Sequence, residues 1–347
     1  MIDARDPRWE GIISASSEGE PRGASATDVA RLLRRLAADA GAAVPATTGD
    51  ERPLEVVTLD TNPPRLEQAT PIEGGALVAR AVPGDPTVGF AAFLDGVQIS
   101  RVMARWSDGV PVVHGTVAAV VRERHDGELG TWRGRPAVSR GVYLPVATAG
   151  AARVDAFVRE GIPVFDTLDA AAPAGPRHPA ELLSFARSAV QRERERLETE
   201  LAEAWVAAGE GPLYVDGGIA SSGAASQHAL AVGVVKSHRT LYANGADLGT
   251  VLGLGAGSRT TAFEIRSPRR THVASWYLRL RDAAGHDPFF GLVRVEVARA
   301  TFDAARADAV SRWVLAERAP VSLPDRRWST MAYGIRNCEE YLRAITG

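Results

Sequence analysis

The stretch "GFAAFLDGVQISRVM" carries Asp95 inside an otherwise apolar run, and "GPLYVDGGIASSG" puts Asp216 straight after Leu213, Tyr214 and Val215. A carboxylate buried in either run is costly unless a cation or several donors compensate it. Glycine follows each: Gly96 after the first, Gly217 and Gly218 after the second. For Asp216 the plain alternative is a turn aspartate that caps the next backbone groups. For Asp95 it is a salt bridge to one of the many arginines. A divalent cation is the other compensation, because Mg²⁺ takes oxygen ligands and uses few protein carboxylates.

A third acid, Glu198, lies in "QRERERLETELAEAWVAAG" with Leu201 at i+3, Ala202 at i+4 and Trp205 at i+7. That spacing puts it on the apolar stripe of a helix. Arg194 at i−4 could pair with it. Three carboxylates gathered in one place cannot all stay charged without cations. Two metal ions about 4 Å apart would neutralise them, activate a water and stabilise the leaving oxygen of a phosphodiester. Further on, "VVKSHR" brings Lys236, His238 and Arg239 to one strand end. Lys236 could hold a phosphate or neutralise a carboxylate. His238 could donate a proton or be a surface histidine. "LGLGAGS" lacks both the strand-to-helix setting and the lysine of a phosphate loop.

These residues need elements to position them. "VGFAAFLDGVQISRVM" reads as a long strand broken or bent near Gly96, "GVPVVHGTVAAVVRER" as a second and "PAVSRGVYLPVA" as a third. A short helix around "AARVDAFVRE" follows. From "HPAELLSFARS" a long helix runs on, with Pro179 in its first turn and Gly209 near its end. "PLYVDGG" and "ALAVGVVKSH" are a fourth and a fifth strand, and "THVASWYLRLRD" and "FFGLVRVEVA" are further ones. Two helices, "FDAARADAVSRWVLAE" and "MAYGIRNCEEYLRAI", close the chain. Near the start, "SATDVARLLRRLAADAGAA" predicts a helix capped by Ser25 or Thr27, and "LEVVTLD" a short strand. The mixture predicts an α/β layer fold with a mixed sheet. In such sheets, sites form at strand ends where the order reverses.

Composition sets the limits. In 347 residues, 45% are apolar and 24% charged, the balance of a globular chain with a large core. The formal net charge of −2 advertises no nucleic acid globally, although arginine clusters recur in "RLLRR", "QRERERLE", "SPRR" and "DRRW". The single cysteine, Cys338, excludes an intramolecular disulfide framework and a cysteine zinc site. It suits a reducing, cytoplasmic setting. The N-terminal residues lack the pattern of a signal peptide. No apolar run is long enough to span a membrane.

Together "FLDG", "RERLE", "YVDGGI" and "VGVVKSH" resemble the NurA family of DNA-end-processing nucleases. The resemblance spans roughly residues 88 to 345. It implies a ribonuclease H-like mixed sheet flanked by helices, with N- and C-terminal helical additions. Residues 1–80, which the resemblance does not cover, are expected to be an N-terminal extension, helix plus loop, packed on the core, with residues 81–347 as the nuclease domain. In that core the first strand lies beside the fourth. Asp95, Asp216 and Glu198 would then be the catalytic metal ligands, holding Mn²⁺ or Mg²⁺ in a two-metal site. Lys236, His238, Arg239, Arg194 and Tyr333 would line the phosphate backbone. Tyr333 matches a family tyrosine, but Gly334 replaces the following proline. No histidine occupies the family's last position, near Glu340 and Tyr341. The implied activity is metal-dependent exo- or endonucleolytic cleavage of DNA, in end resection, repair or defence. The implied partners are DNA, a second copy of the chain and a HerA-type hexameric ATPase. The missing histidine motivates an alternative, a catalytically decayed adaptor that binds DNA or a partner. A phosphatase or ribonuclease on the same core is the third reading.

Overall fold

A computed structural model describes residues 23–40, 43–45, 63–168, 177–267, 270–318 and 329–346. The expected strand at "LEVVTLD" and the clusters "SPRR" and "DRRW" lie wholly or partly outside the described residues. Eight principal strands and four principal helices carry the architecture. In chain order they are α1 (Ala26–Ala40), β1 (Ala92–Trp106), β2 (Pro111–His125), β3 (Ala137–Leu144), α2 (Pro179–Ala208), β4 (Leu213–Asp216), β5 (Ala231–Val235), β6 (Phe263–Ser267), β7 (Arg270–Arg279), β8 (Leu292–Ala298), α3 (Ala304–Ala316) and α4 (Tyr333–Thr346).

All eight strands belong to one mixed sheet, ordered β6-β7-β8-β5-β4-β1-β2-β3, which shorter strands extend to 14 among the described residues. β2 is antiparallel to β1 and β3, whereas β4 is parallel to both β1 and β5. The order β3-β2-β1-β4-β5, with α2 inserted between β3 and β4, is that of a ribonuclease H-like core. The antiparallel strands β8, β7 and β6 continue it past β5.

Alternation along the central strands sorts their side chains onto two covered faces. Phe93 and Tyr214 pack with Ile335, Cys338 and Leu342 of α4 and with Val310 and Val314 of α3. Leu94, Leu213 and Val215 pack on the other face with Ala202, Trp205 and Val206 of α2. Valine-rich β2 is buried along most of its length because α2 covers one face and α4 the other.

The helix signals act as their residue types dictate. In α2, Pro179 occupies the first turn, the His178 side chain accepts from the Ala180 N–H, and Gly209 ends the helix in the left-handed region at φ 72°. The cap of α1 is Ser25. Its Oγ accepts from the Asp28 N–H at 3.3 Å, while the Asp28 carboxylate accepts from the Ser25 N–H at 3.1 Å. Val29, Leu32 and Leu33 of α1 are buried against Trp106 and Val142.

Two expectations need correction. β1 runs through Gly96 without a break, pairing it with Ala119, and the register shift falls between Val102 and Ala104. Gly96 is there for the helix rather than for a bend: a Cβ on it would be 3.0 Å from both Cγ and Cδ of Glu198 in α2. The strands β6 and Glu128–Thr131 also exist without having been anticipated.

Candidate active site

The parallel ladder between β1 and β4 pairs Ala92 with Leu213, Phe93 with Tyr214 and Leu94 with Val215, and ends there. Asp95 and Asp216 are the next residues on each strand. They stand side by side where the β1–β4 ladder ends, and each lies two positions after a residue that faces α4, Phe93 and Tyr214, so alternation puts both on that face. Past this point no strand among the described residues pairs with the β4-facing edge of β1 until Ala104, which pairs with the strand Ala43–Pro45.

Asp95 is 6% exposed. It accepts one hydrogen bond, from the adjacent Gly96 N–H at 2.8 Å, and no cation forms an ion pair with it among the described residues. Burial, followed by the neighbouring Asp216 charge, pushes its pKa well above the carboxylate range, and Glu198 pushes the same way. Asp216 has a cation of its own. Lys236, just beyond β5, donates from Nζ to Oδ2 at 2.9 Å and lies 2.9 Å from Oδ1.

Glu198 approaches the same end of β1 from the opposite face, over Gly96. It is ion-paired to Arg194, which also donates from Nε to Gln98 Oε1 at 3.2 Å. Burial outweighs that pairing and raises the Glu198 pKa to about 7, with Asp216 adding to the rise. Two bystanders register the same negative field. Burial first, and then the aspartates, raise the pKa of the Tyr214 phenol and of the Cys338 thiol.

The glycines after Asp216 permit close approach. Gly217 adopts φ 124°, a conformation that side chains rarely take. A Cβ on Gly218 would lie 2.9 Å from Oε2 of Glu296. That same Oε2 accepts from the Ile219 N–H at 2.9 Å, and Arg294 pairs with Oε1 at 2.5 Å. Glu296 therefore pins the loop that follows Asp216. Sequence reasoning missed it, because an alternating "VRVEV" marks a strand without saying that both of its faces are covered.

The remaining candidates scatter. Rather than lying at the surface, the His238 ring is half-buried. It stacks on Phe289 with centroids 5.4 Å apart, and its Nε2 lies 3.0 Å from the Leu292 carbonyl oxygen. Arg239 is exposed next to it, with its carbonyl accepting from the Arg65 N–H at 2.8 Å. Tyr333 opens α4 and is 55% exposed. Gly334 is pressed on the Phe93 ring, where a Cβ would overlap it. Glu340 pairs with Arg336, and Tyr341 lies under the Arg122 guanidinium. The helix α4 thus seals the site through Cys338, whose Sγ is 3.4 Å from the Phe93 carbonyl oxygen.

No family model matches the chain, and no curated protein matches it. Among solved structures it is similar to the NurA nuclease from Sulfolobus solfataricus. That likeness covers 77% of this chain and 81% of that one, at 11% identity and a TM-score of 0.42. No helix among the described residues is long and apolar enough to cross a membrane.

Proposed function

We propose that the chain is a divalent-cation-dependent nuclease, with Asp95 and Asp216 as its central carboxylates. The observation that carries this reading is Asp95: a buried acid, ion-paired to no cation among the described residues, set beside a second carboxylate where the β1–β4 ladder ends. Such a group either binds a proton or awaits a cation. Among the described residues no three His, Cys, Asp or Glu side chains converge as the ligands of one ion. Two carboxylates are nevertheless enough for Mg²⁺, which keeps several waters and is held by one or two acids together with substrate phosphates. The oxygen-only donor set fits Mg²⁺ or Mn²⁺.

When bound, such an ion supplies Lewis-acid activation of water and neutralises charge on the phosphate. The chain's own part is positional. Asp95 and Asp216 would hold the ion. The buried aromatic wall of Phe93 and Tyr214 behind them keeps bulk water from that side. Lys236 and Arg194 supply positive charge at the rim, where a phosphodiester would lie. Glu198 would enter a second ion's shell only on leaving Arg194. The sequence motifs extend the proposal to a homodimer that acts on DNA with a HerA-type hexameric ATPase. Co-purification and size-exclusion chromatography test that extension.

The decisive assay is degradation of linear duplex DNA with Mn²⁺, comparing wild type with Asp95→Asn and Asp216→Asn. Degradation by the wild type alone supports the enzyme. A wild type that degrades nothing the variants spare overturns it. A second reading, a decayed adaptor that binds DNA without cutting it, draws on the pairing of Asp216 with Lys236 and of Glu198 with Arg194. The same assay with a DNA-binding measurement beside it separates the two.

A further inference from the structure

Lys236 is the only lysine in the chain; the rest of its 40 Lys and Arg residues are arginine. A sequence that uses arginine everywhere else has placed its one ammonium on the carboxylate of Asp216, 2.9 Å from both oxygens. The two cations differ in ways that matter here. A guanidinium is a rigid fork that locks onto both oxygens of a carboxylate, whereas an ammonium is a compact point charge on a flexible four-carbon stem. Lys236 and Asp216 are each about one-fifth exposed, so the stem has a way out toward solvent. Asp95, beside them, is more than nine-tenths buried and is ion-paired to no cation among the described residues.

We infer that Lys236 is a displaceable stand-in for the metal: it caps Asp216 while the site lacks its ion and must swing off for the ion to bind. The inference rests on the proposed metal site. It makes metal binding a competition between an external dication and an internal ammonium. Without Lys236, Asp216 and Asp95 would face each other uncompensated, which destabilises the metal-free chain and tightens its hold on an ion. With Lys236 present, affinity for the ion is held down. Once displaced, the ammonium stands at the rim of the site, free to meet a substrate phosphate. Loading the ion then also exposes the group that receives the substrate.

Calorimetric titration of Mn²⁺ into the full chain tests this, using wild type, Lys236→Met, Lys236→Arg and Asp216→Asn, with thermal melts in chelator and in saturating Mn²⁺ alongside. Lys236→Met is expected to bind Mn²⁺ about tenfold tighter or more, the scale of change that outer-shell partners of a metal ligand produce. Its melting temperature should drop in chelator and rise further with Mn²⁺ than that of the wild type. Lys236→Arg, whose fork holds both oxygens, should bind no tighter than wild type. If Lys236→Met binds no tighter while Asp216→Asn loses binding, the stand-in role is overturned and the metal site stands. If Asp216→Asn binds as the wild type does, or the wild type binds no ion, the site itself is wrong and the inference falls with it. Should Lys236→Met fail to fold in chelator, folding restored by Mn²⁺ supports the role, and a chain that Mn²⁺ leaves unfolded overturns it.

Discussion

Asp216 occupies the first position past the last pair of the β1–β4 ladder, and Asp95 is its counterpart on β1. The parallel register that matches Val215 with Leu94 is what makes the two acids neighbours, although 120 residues separate them in the chain. Their closeness is a property of the sheet rather than of any loop, so it persists without a ligand. The cost of that closeness is visible in the raised pKa of Asp95.

Asp95→Asn should therefore stabilise the metal-free protein while destroying its function. Removing a desolvated charge beside Asp216 should raise unfolding stability at pH 8 in chelator, because burial and the Asp216 charge both disfavour the ionised form of Asp95. Urea unfolding checks the stability, and DNA degradation with Mn²⁺ checks the activity. A variant that is less stable in chelator would show that Asp95 is a structural acid.

Glu198 gives a pH signature. Its folded pKa is raised to about 7 from 4.5, so the folded state holds the proton more tightly than the unfolded chain. The stability this contributes is complete below pH 4.5 and is lost as pH rises through about 7. Metal-free melts of wild type and Glu198→Gln, compared from pH 4 to pH 8, should diverge across that window. Parallel curves would contradict the burial of Glu198.

Gly96→Ala tests the contact between β1 and α2. The new methyl would sit against the Glu198 carboxylate and Cγ. Displacing a packed helix side chain should cost about 1–3 kcal/mol, the usual penalty of overpacking. Denaturant unfolding reads the cost, and Glu198→Ala in the same chain should recover much of it. No recovery would place the strain elsewhere.

Away from the site, Arg259 is fully buried. It donates to Glu73 from two nitrogens at 2.7 and 2.9 Å and to Asp308 at 2.6 Å. Glu73 precedes the core strands and Asp308 lies in α3, so this one guanidinium ties the early segment to the far end of the sheet. Arg259→Met would take the cation from Asp308 and leave Glu73 with Arg80, and should cost about 3–5 kcal/mol in urea unfolding. A loss below 1 kcal/mol would mean that the early segment is not fastened through this cluster.

How much of this could be read from the chain alone depends on the range of the signal. Local signals were clear: Pro179 and Gly209 bracket α2, a cap at Ser25 or Thr27 opens α1, and valine runs mark β2 and β8. Asp95 was visible because an acid in mid-strand breaks a local rule. What stayed hidden depended on tertiary neighbours. Gly96 looked like a bend, since nothing local says that a glutamate 102 residues later needs its space. That Lys236 could neutralise a carboxylate was legible, but that the carboxylate is Asp216 is a matter of register between β4 and β5. His238 looked like a surface residue because its stacking partner, Phe289, comes from a distant hairpin. Glu296 was passed over because the covering of both sheet faces is a property of the whole sheet.

The most direct test of the central claim is crystallographic. Crystals of the protein soaked in Mn²⁺ should show an anomalous-scattering peak between the carboxylates of Asp95 and Asp216, with Lys236 turned away from Asp216. A map without a peak there, and with Lys236 still seated on Asp216 at saturating Mn²⁺, would contradict the account.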